Sequence, residues 1–233
     1  MKMKISAWLL LFVASSLRAE TLEIIRKIPH TGYSEGLDFH EGFLWHALPK
    51  EIVKIDPSDG SVVGRFKPST DYSESLKWWN GKLYNLSFSD DGIYVGKLAN
   101  GALAFERKGT VPEKHGWGME VIGPNLVTTG DYSKVLYFYD SKLKVVRTLV
   151  TEADAIEDLA YDGRYLWASS FTTNRGKIFR IDPKNGKVGT LYTLPNADDC
   201  PIIDGLAYDG KNLWLTGKQC PSIYYIKKPT ETK

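Results

Sequence analysis

The sequence contains few of the side chains on which metal chemistry usually depends. Its 233 residues include two cysteines and four histidines. The histidines do not occur at the spacing of a zinc site, and the cysteines do not form a Cys-x-x-Cys pair. There is no glycine-rich phosphate loop of the P-loop type either. These absences argue against a zinc protein and against a nucleotide-binding domain of the P-loop class.

The chain also lacks an excess of charge and, after its first residues, a long apolar run. Residues 1–19 combine two lysines, an apolar run over 5–15 and the small residue Ala19, a pattern typical of a secretory signal peptide. We expect cleavage after Ala19, with Ser16 as the alternative, and a protein exported to the periplasm or secreted. Removing 1–19 takes three of the 30 basic residues and none of the 28 acidic ones, so the net charge becomes about −1. This balance predicts neither nucleic-acid nor membrane binding.

One eleven-residue phrase recurs through the remaining chain. It reads EDLAYDGRYLW from Glu157 and DGLAYDGKNLW from Asp204. An apolar-alternating segment, a turn with Gly and a second apolar segment predict a β-hairpin. The five copies begin at Glu35, Glu74, Trp117, Glu157 and Asp204, a period of about 40 residues. The period predicts one four-stranded blade per copy, and hence an all-β, five-bladed β-propeller as a single domain over 20–233.

The last repeat lacks a fourth strand. In the first four repeats two further strands follow the phrase, whereas the fifth ends with one strand at 222–227 and a polar tail. The segment 22–28 has a strand pattern and no partner in its own repeat. We predict that it closes the ring as the outer strand of the last blade, because an open sheet edge would otherwise remain.

The two cysteines flank the last copy of the phrase. Cys200 precedes its first strand and Cys220 follows its second. In an exported protein an even pair usually bonds, and antiparallel neighbours can lie within disulfide reach. We expect a Cys200–Cys220 disulfide, with two free thiols as the alternative.

Four of the five copies begin with an acid. The first strand of a propeller blade lines the central channel, so the ring should bring Glu35, Glu74, Glu157 and Asp204 to one mouth together with Trp117. Like charges there should raise some carboxyl pKa values unless a cation intervenes. Glu35, Glu157 and Asp204 are candidate calcium ligands. Alternatively, each acid caps its strand or pairs with a base in the next blade.

A second set of residues stands where the second strands end. These residues are His46, Phe88, Phe171 and Lys218. The two phenylalanines form either an apolar wall of the site or part of the core. Lys218 either reaches the site or is a solvated surface residue.

Five motifs occur in the order and spacing of a known family. They are Tyr33-Ser34-Glu35-Gly36-Leu37, Tyr72-Ser73-Glu74-Ser75-Leu76, Gly116-Trp117-Gly118-Met119, Glu157-Asp158-Leu159-Ala160-Tyr161 and Thr216-Gly217-Lys218. With them the chain resembles, over about 22–227, the plant and bacterial glutamine cyclotransferases (glutaminyl-peptide cyclotransferases), which are five-bladed propellers.

The resemblance implies an enzyme that converts the N-terminal Gln of a peptide into pyroglutamate with release of ammonia. It implies Glu74 as general base and acid, Lys218 as stabiliser of the oxyanion and Trp117 as a wall for the Gln side chain. The other pocket positions that it implies are Glu35, Glu157, Asp204, Phe88 and Phe171. The chemistry requires no cofactor, and we expect a monomer.

The pocket departs from the family at five of these positions. Three neutral amides of the family are acids here, at Glu35, Glu157 and Asp204, and two tryptophans are Phe88 and Phe171. The acids leave two other functions open. One is a non-catalytic propeller that binds a cationic or peptide ligand. The other is a cation-dependent hydrolase of the lactonase or esterase kind, with calcium bound.

Overall fold

The structure is a computed structural model that describes residues 19–30, 32–68, 70–172 and 176–230. The predicted signal peptide lies outside these residues except for Ala19. In the described ranges, 21 β-strands form five sheets, and the one helical element is a 3₁₀ turn at Ala197–Asp199. No helix in these ranges is long and apolar enough to cross a membrane.

Each sheet is one blade, and the four strands that make up a blade are antiparallel to their neighbours. Blade 1 contains β3 (Leu37–His40), β4 (Phe43–Leu48), β5 (Glu51–Ile55) and β6 (Val62–Phe66). Blade 2 contains β7 (Ser73–Trp79), β8 (Lys82–Ser87), β9 (Gly92–Ala99) and β10 (Ala102–Thr110). Blade 3 contains β11 (Gly116–Ile122), β12 (Asn125–Gly130), β13 (Val135–Tyr139) and β14 (Val145–Val150). Blade 4 contains β15 (Ile156–Tyr161), β16 (Leu166–Ser170), β17 (Lys177–Ile181) and β18 (Val188–Thr193). Blade 5 contains β19 (Ile202–Tyr208), β20 (Leu213–Lys218) and β21 (Ser222–Ile226), with β2 (Ile24–Pro29) as its outer strand.

The N-terminal segment therefore completes the last blade. β2 runs antiparallel to β21, with Ile28 opposite Ile223. The two residues of β1 (Glu20–Thr21) pair in parallel with β18, which adds a fifth strand to blade 4. The sequence did not predict this second contact. The segment thus joins the edges of two blades, with the buried Leu22 between them.

The hydrophobic core lies between neighbouring blades. Five clusters of buried side chains occur, one at each blade-to-blade interface. At the closing interface, Ile28 and Trp214 of blade 5 pack with Ile55 of blade 1. Successive side chains of a strand point to opposite faces of the blade. One face is covered by the preceding blade of the ring and the other by the following blade, so apolar side chains are buried on both.

A disulfide joins Cys200 and Cys220, whose Cα atoms are 4.4 Å apart. The predicted pairing is confirmed. It connects the chain just before β19 to the chain just after β20, at the mouth end of blade 5.

Candidate active site

A β-bulge at the start of every inner strand turns the first residue of the repeat towards the channel mouth. The pairing register shifts between Ser73 and Ser75, and likewise in the inner strands of blades 3, 4 and 5. In blade 1 the N–H of Glu35 donates to the carbonyl of Ala47, whose N–H donates to Gly36. Bulges of this kind re-aim a side chain. They explain why position one of each repeat faces the mouth.

The predicted convergence is observed. A pocket of about 440 Å³ opens at this mouth. Its lining includes Glu74, Trp117, Glu157 and Lys218. Glu35 and Asp204 lie beside it, since both carboxylates contact the Lys218 ammonium. A volume of this size suits a small ligand or one end of a peptide.

Lys218 is the cation of this acidic cluster. Its Nζ lies 2.7 Å from Asp204 Oδ2, 3.2 Å from Glu35 Oε2 and 3.9 Å from Glu157 Oε2. Burial opposes the charged form, but the three carboxylates outweigh it and raise the pKa of Lys218. The side chain therefore carries its charge inside the pocket and is not a solvated surface residue.

Burial is the main influence on the pKa values of Glu35, Glu74 and Glu157. It raises the pKa of Glu35 to about 10, with Glu74 and Asp204 adding to the shift. It raises the pKa of Glu157 to about 11, with the Asp204 charge and hydrogen bond adding. The hydroxyl of Tyr72 donates to Glu35 Oε1. One ammonium cannot balance four carboxylates, so some of the acids keep their protons at neutral pH.

Glu74 differs from Glu35, Glu157 and Asp204 in that no ion pair joins it to Lys218 among the described residues. It is buried, and its Oε2 has no hydrogen-bond partner among the described residues. Burial raises its pKa to about 8, opposed by Lys218 and supported by Asp204 and Asp158. A carboxyl with this pKa exchanges protons readily near neutral pH, which is what a general acid–base group requires.

The residues considered as calcium ligands do not fit a calcium ion. Glu35, Glu157 and Asp204 surround the Lys218 ammonium, which stands where the cation would have to lie. Within the described ranges no group of three or more acidic, His or Cys side chains has the arrangement of a metal site. The positive charge that the acids require comes from the chain itself.

The residues at the ends of the second strands divide into two groups. Phe88 and Phe171 line the pocket beside Trp117. Phe88 stacks on His115, with ring centroids 4.3 Å apart. His46 does not line the pocket. It is fully buried below it, and its Nε2 forms a hydrogen bond with Ser34 Oγ.

Ser34 of the Ser34–His46 pair lies in a sequence pattern that also occurs around the nucleophilic serine of hydrolases. Residues 32–36 read Gly-Tyr-Ser-Glu-Gly, the spacing of a hydrolase nucleophile turn. Such a turn leads into a helix and exposes the serine, whereas here β3 follows and Ser34 is fully buried. Ser34 also donates to Thr216 Oγ1 at 3.2 Å. The pair therefore ties the chain before Glu35 to the chain before Lys218.

Three tyrosines of the pocket were missed by the sequence reasoning. Tyr33, Tyr72 and Tyr132 all line it. The signal for the first two was the repeated Tyr-Ser-Glu at 33–35 and 72–74. Tyr132 follows a second strand, as Phe88 and Phe171 do, but two residues after its end instead of one.

A buried polar network closes the channel below the pocket. Asp158 accepts hydrogen bonds from the N–H groups of Leu37 and Leu206 and from the hydroxyl of Ser75. A Cβ on Gly36 would lie 2.6 Å from the Cα of Ser75, so the blades touch there.

Further from the mouth, Lys77 of blade 2 links blade 1 to blade 3. Its Nζ lies 3.3 Å from Asp38 Oδ1 and 3.3 Å from Glu120 Oε2. The signal for this network was a charge at the fourth position of the first three repeats. Among the described residues, these two networks block the channel below the pocket.

Comparisons with a family model and with solved structures agree with this fold. The model of the glutamine cyclotransferase family matches residues 5–228. A comparison with curated proteins finds no match. Among solved structures, the glutaminyl cyclase of Myxococcus xanthus superposes with a TM-score of 0.75 at 18% identity, over 90% of this chain and 97% of that one. The calcium-binding protein regucalcin from Agrobacterium tumefaciens has a TM-score of 0.59 at 12% identity, over 92% and 98%.

Proposed function

The chain belongs to the glutamine cyclotransferase family, and on that premise we propose that it converts the N-terminal Gln of peptides into pyroglutamate and ammonia. One observation carries the proposal. Glu74, Trp117 and Lys218 come from three different blades and line one pocket that is closed below. The three residues that the family pattern implies therefore share one pocket, which supports the proposal.

The reaction closes a five-membered ring within the substrate. The α-amine of the Gln residue attacks its side-chain amide carbon, a C–N bond forms, and the bond to the departing nitrogen breaks. The amine must lose one proton, and the leaving nitrogen must gain one to depart as ammonia. One group that accepts and then returns a proton satisfies both requirements.

We assign this proton transfer to Glu74. Its raised pKa, about 8, means that both protonation states are populated near neutral pH. Its buried Oε2 has no partner among the described residues, so it is available to the amine. Glu74 ends the cycle in the state in which it began.

We assign the stabilisation of the developing oxyanion to Lys218. Attack on the amide carbon places negative charge on the carbonyl oxygen, and a fixed cation in a site of low polarity stabilises that charge strongly. Asp204, Glu35 and Glu157 hold the ammonium in place. Trp117, which is buried in the wall, supplies an apolar face for the methylene groups of Gln.

The proposal requires no cofactor, because Glu74 supplies the proton transfer and Lys218 the positive charge. We also propose export of the protein, with the periplasm as its compartment. The Cys200–Cys220 disulfide supports this, since such bonds persist in oxidising compartments.

The direct test is to incubate the purified protein with a peptide that begins with Gln and to follow ammonia release and the peptide mass. Pyroglutamate should form at the same rate with and without a metal chelator. A matched peptide that begins with Asn should remain unchanged. Absence of turnover with every Gln-peptide would reject the proposal, and loss of activity on chelation would reject the cofactor-free mechanism.

A further inference from the structure

The exposed aromatic side chains among the described residues are gathered at one place. Tyr33, Tyr132 and Phe171 are 50%, 60% and 45% exposed, and all three line the pocket mouth. The other large apolar side chains that are exposed in the described ranges are aliphatic and lie on third or fourth strands of the blades. They are Ile25, Val62, Val63, Leu98, Val145, Val146 and Val150.

These three aromatic residues form a rim from separate parts of the ring. Tyr33 precedes β3, Tyr132 follows β12 and Phe171 follows β16. The ring of Tyr132 packs edge-on against Trp117 with centroids 5.3 Å apart, and Lys218 Nζ lies 5.5 Å from the centroid of Tyr33. The rim is therefore continuous with the groups assigned to the reaction.

A peptide that reacts in this pocket must cross the rim. The Asp158 and Lys77 networks close the channel below, so the chain that follows the N-terminal residue can leave only through the mouth. An exposed apolar patch beside a binding site usually marks a contact surface. Tyrosine and phenylalanine provide large contact area at low cost in side-chain entropy.

The acidic side chains beneath the rim also affect which peptides can bind. Glu35, Glu74, Glu157 and Asp204 share one ammonium, that of Lys218. Any negative potential that remains at the mouth disfavours a carboxylate on the incoming peptide.

We propose that Tyr33, Tyr132 and Phe171 form a specificity subsite for the residues that follow the N-terminal Gln, which selects aromatic side chains and rejects acidic ones. The inference rests on the proposed function, because it names the substrate class of the same pocket.

The test compares the kcat/KM of three amidated peptides, Gln-Phe-Ala, Gln-Gly-Ala and Gln-Asp-Ala. The Phe peptide should exceed the Gly peptide by about tenfold, the upper range of an aromatic contact, and the Asp peptide should fall below both. In Tyr132→Ala/Phe171→Ala the ratio of Phe to Gly should approach one. Tyr132→Phe should restore the preference that Tyr132→Ala loses, and Val146→Ala, on an outer strand, should leave the ratio unchanged.

Equal values for the Phe and Gly peptides, or a double variant that keeps the full preference, would overturn the inference. If the wild type turns over none of the peptides, the proposed function fails, and calorimetry then decides the subsite separately. Gln-Phe-Ala amide should bind the wild type about tenfold more tightly than Gln-Gly-Ala amide, and the double variant should remove this difference. Equal affinities would overturn the subsite in that case too.

Discussion

At the scale of single residues, Lys218 has the largest effect on its surroundings. It is half-buried, its three acidic partners are buried, and it is the nearest cation to each of them in the described structure. Removing one partner of a buried ion pair leaves the other charge uncompensated, which typically costs about 3–5 kcal/mol.

We therefore predict that Lys218→Met lowers the free energy of unfolding by that order at pH 8 and abolishes turnover. Adding Asp204→Asn should recover part of the stability, because it removes the carboxyl group nearest to the lost ammonium, and should recover none of the turnover. Chemical denaturation and the cyclisation assay measure the two effects separately. A fully stable Lys218→Met protein would show that the cluster does not depend on this ammonium.

Glu157 makes the folding stability of the protein depend on pH. Its pKa is raised from 4.5 to about 11 in the folded protein. The unfolded chain releases this proton at a lower pH than the folded one does, so the contribution of Glu157 to stability is complete below pH 4.5 and is lost as the pH rises towards 11.

Glu157→Gln should consequently flatten the decline of the unfolding free energy between pH 5 and 9, by up to about 1.4 kcal/mol per pH unit for one proton. The variant should be at least as stable as the wild type at pH 8. Glu106→Gln, at an exposed site on β10, serves as the control and should leave the slope unchanged. Parallel pH profiles for Glu157→Gln and the wild type would contradict the prediction.

The sequence predicted the acid ring at this scale because its members share one position of the repeat. Tyr132 escaped because it lies two residues after the end of β12, whereas Phe88 and Phe171 directly follow β8 and β16. The Ser34–His46 pair escaped because Ser34 precedes β3 and His46 lies on β4, and only the fold brings them into contact.

At the scale of elements, the closing strand carries a stability prediction with its own control. Ile28 and Ile25 lie on the same strand, β2, but are 2% and 48% exposed. Ile28→Ala should lower the unfolding free energy by about 2–5 kcal/mol, since it opens a cavity between blades 5 and 1. Ile25→Ala should change it by less than about 0.5 kcal/mol. Similar small effects for both variants would mean that β2 adds little to the ring.

Strand positions were well predicted because each turn interrupts a short apolar pattern. The third strand of the last repeat is predicted at 222–227 and is Ser222–Ile226. The bulges were not predicted, because an extra residue in the ladder leaves no mark in an apolar pattern of this length. Yet these bulges aim the first residue of each repeat at the mouth.

At the scale of the whole molecule, the five-fold ring turns distant sequence positions into neighbours. Glu35 and Lys218 are far apart in sequence, and their charged atoms are 3.2 Å apart. The number of blades follows from the repeat period, which remains recognisable where single residues depart from the repeated phrase. The Lys77 network below the pocket was not predicted, although Asp38, Lys77 and Glu120 share the fourth position of their repeats, because the contacts among these charges depend on how three blades are placed in the ring.

The account as a whole depends on Glu74 as the group that moves the proton. The most direct measurement is the steady-state rate of pyroglutamate formation from one Gln-peptide by the wild type, Glu74→Gln and Glu106→Gln, the last being an exposed Glu of the same blade. Glu74→Gln keeps the shape of the side chain, so it should retain the wild-type melting temperature within a few degrees and lower kcat by about 10²–10⁴-fold. Glu106→Gln should match the wild type. A Glu74→Gln protein that forms pyroglutamate at the wild-type rate would contradict the account.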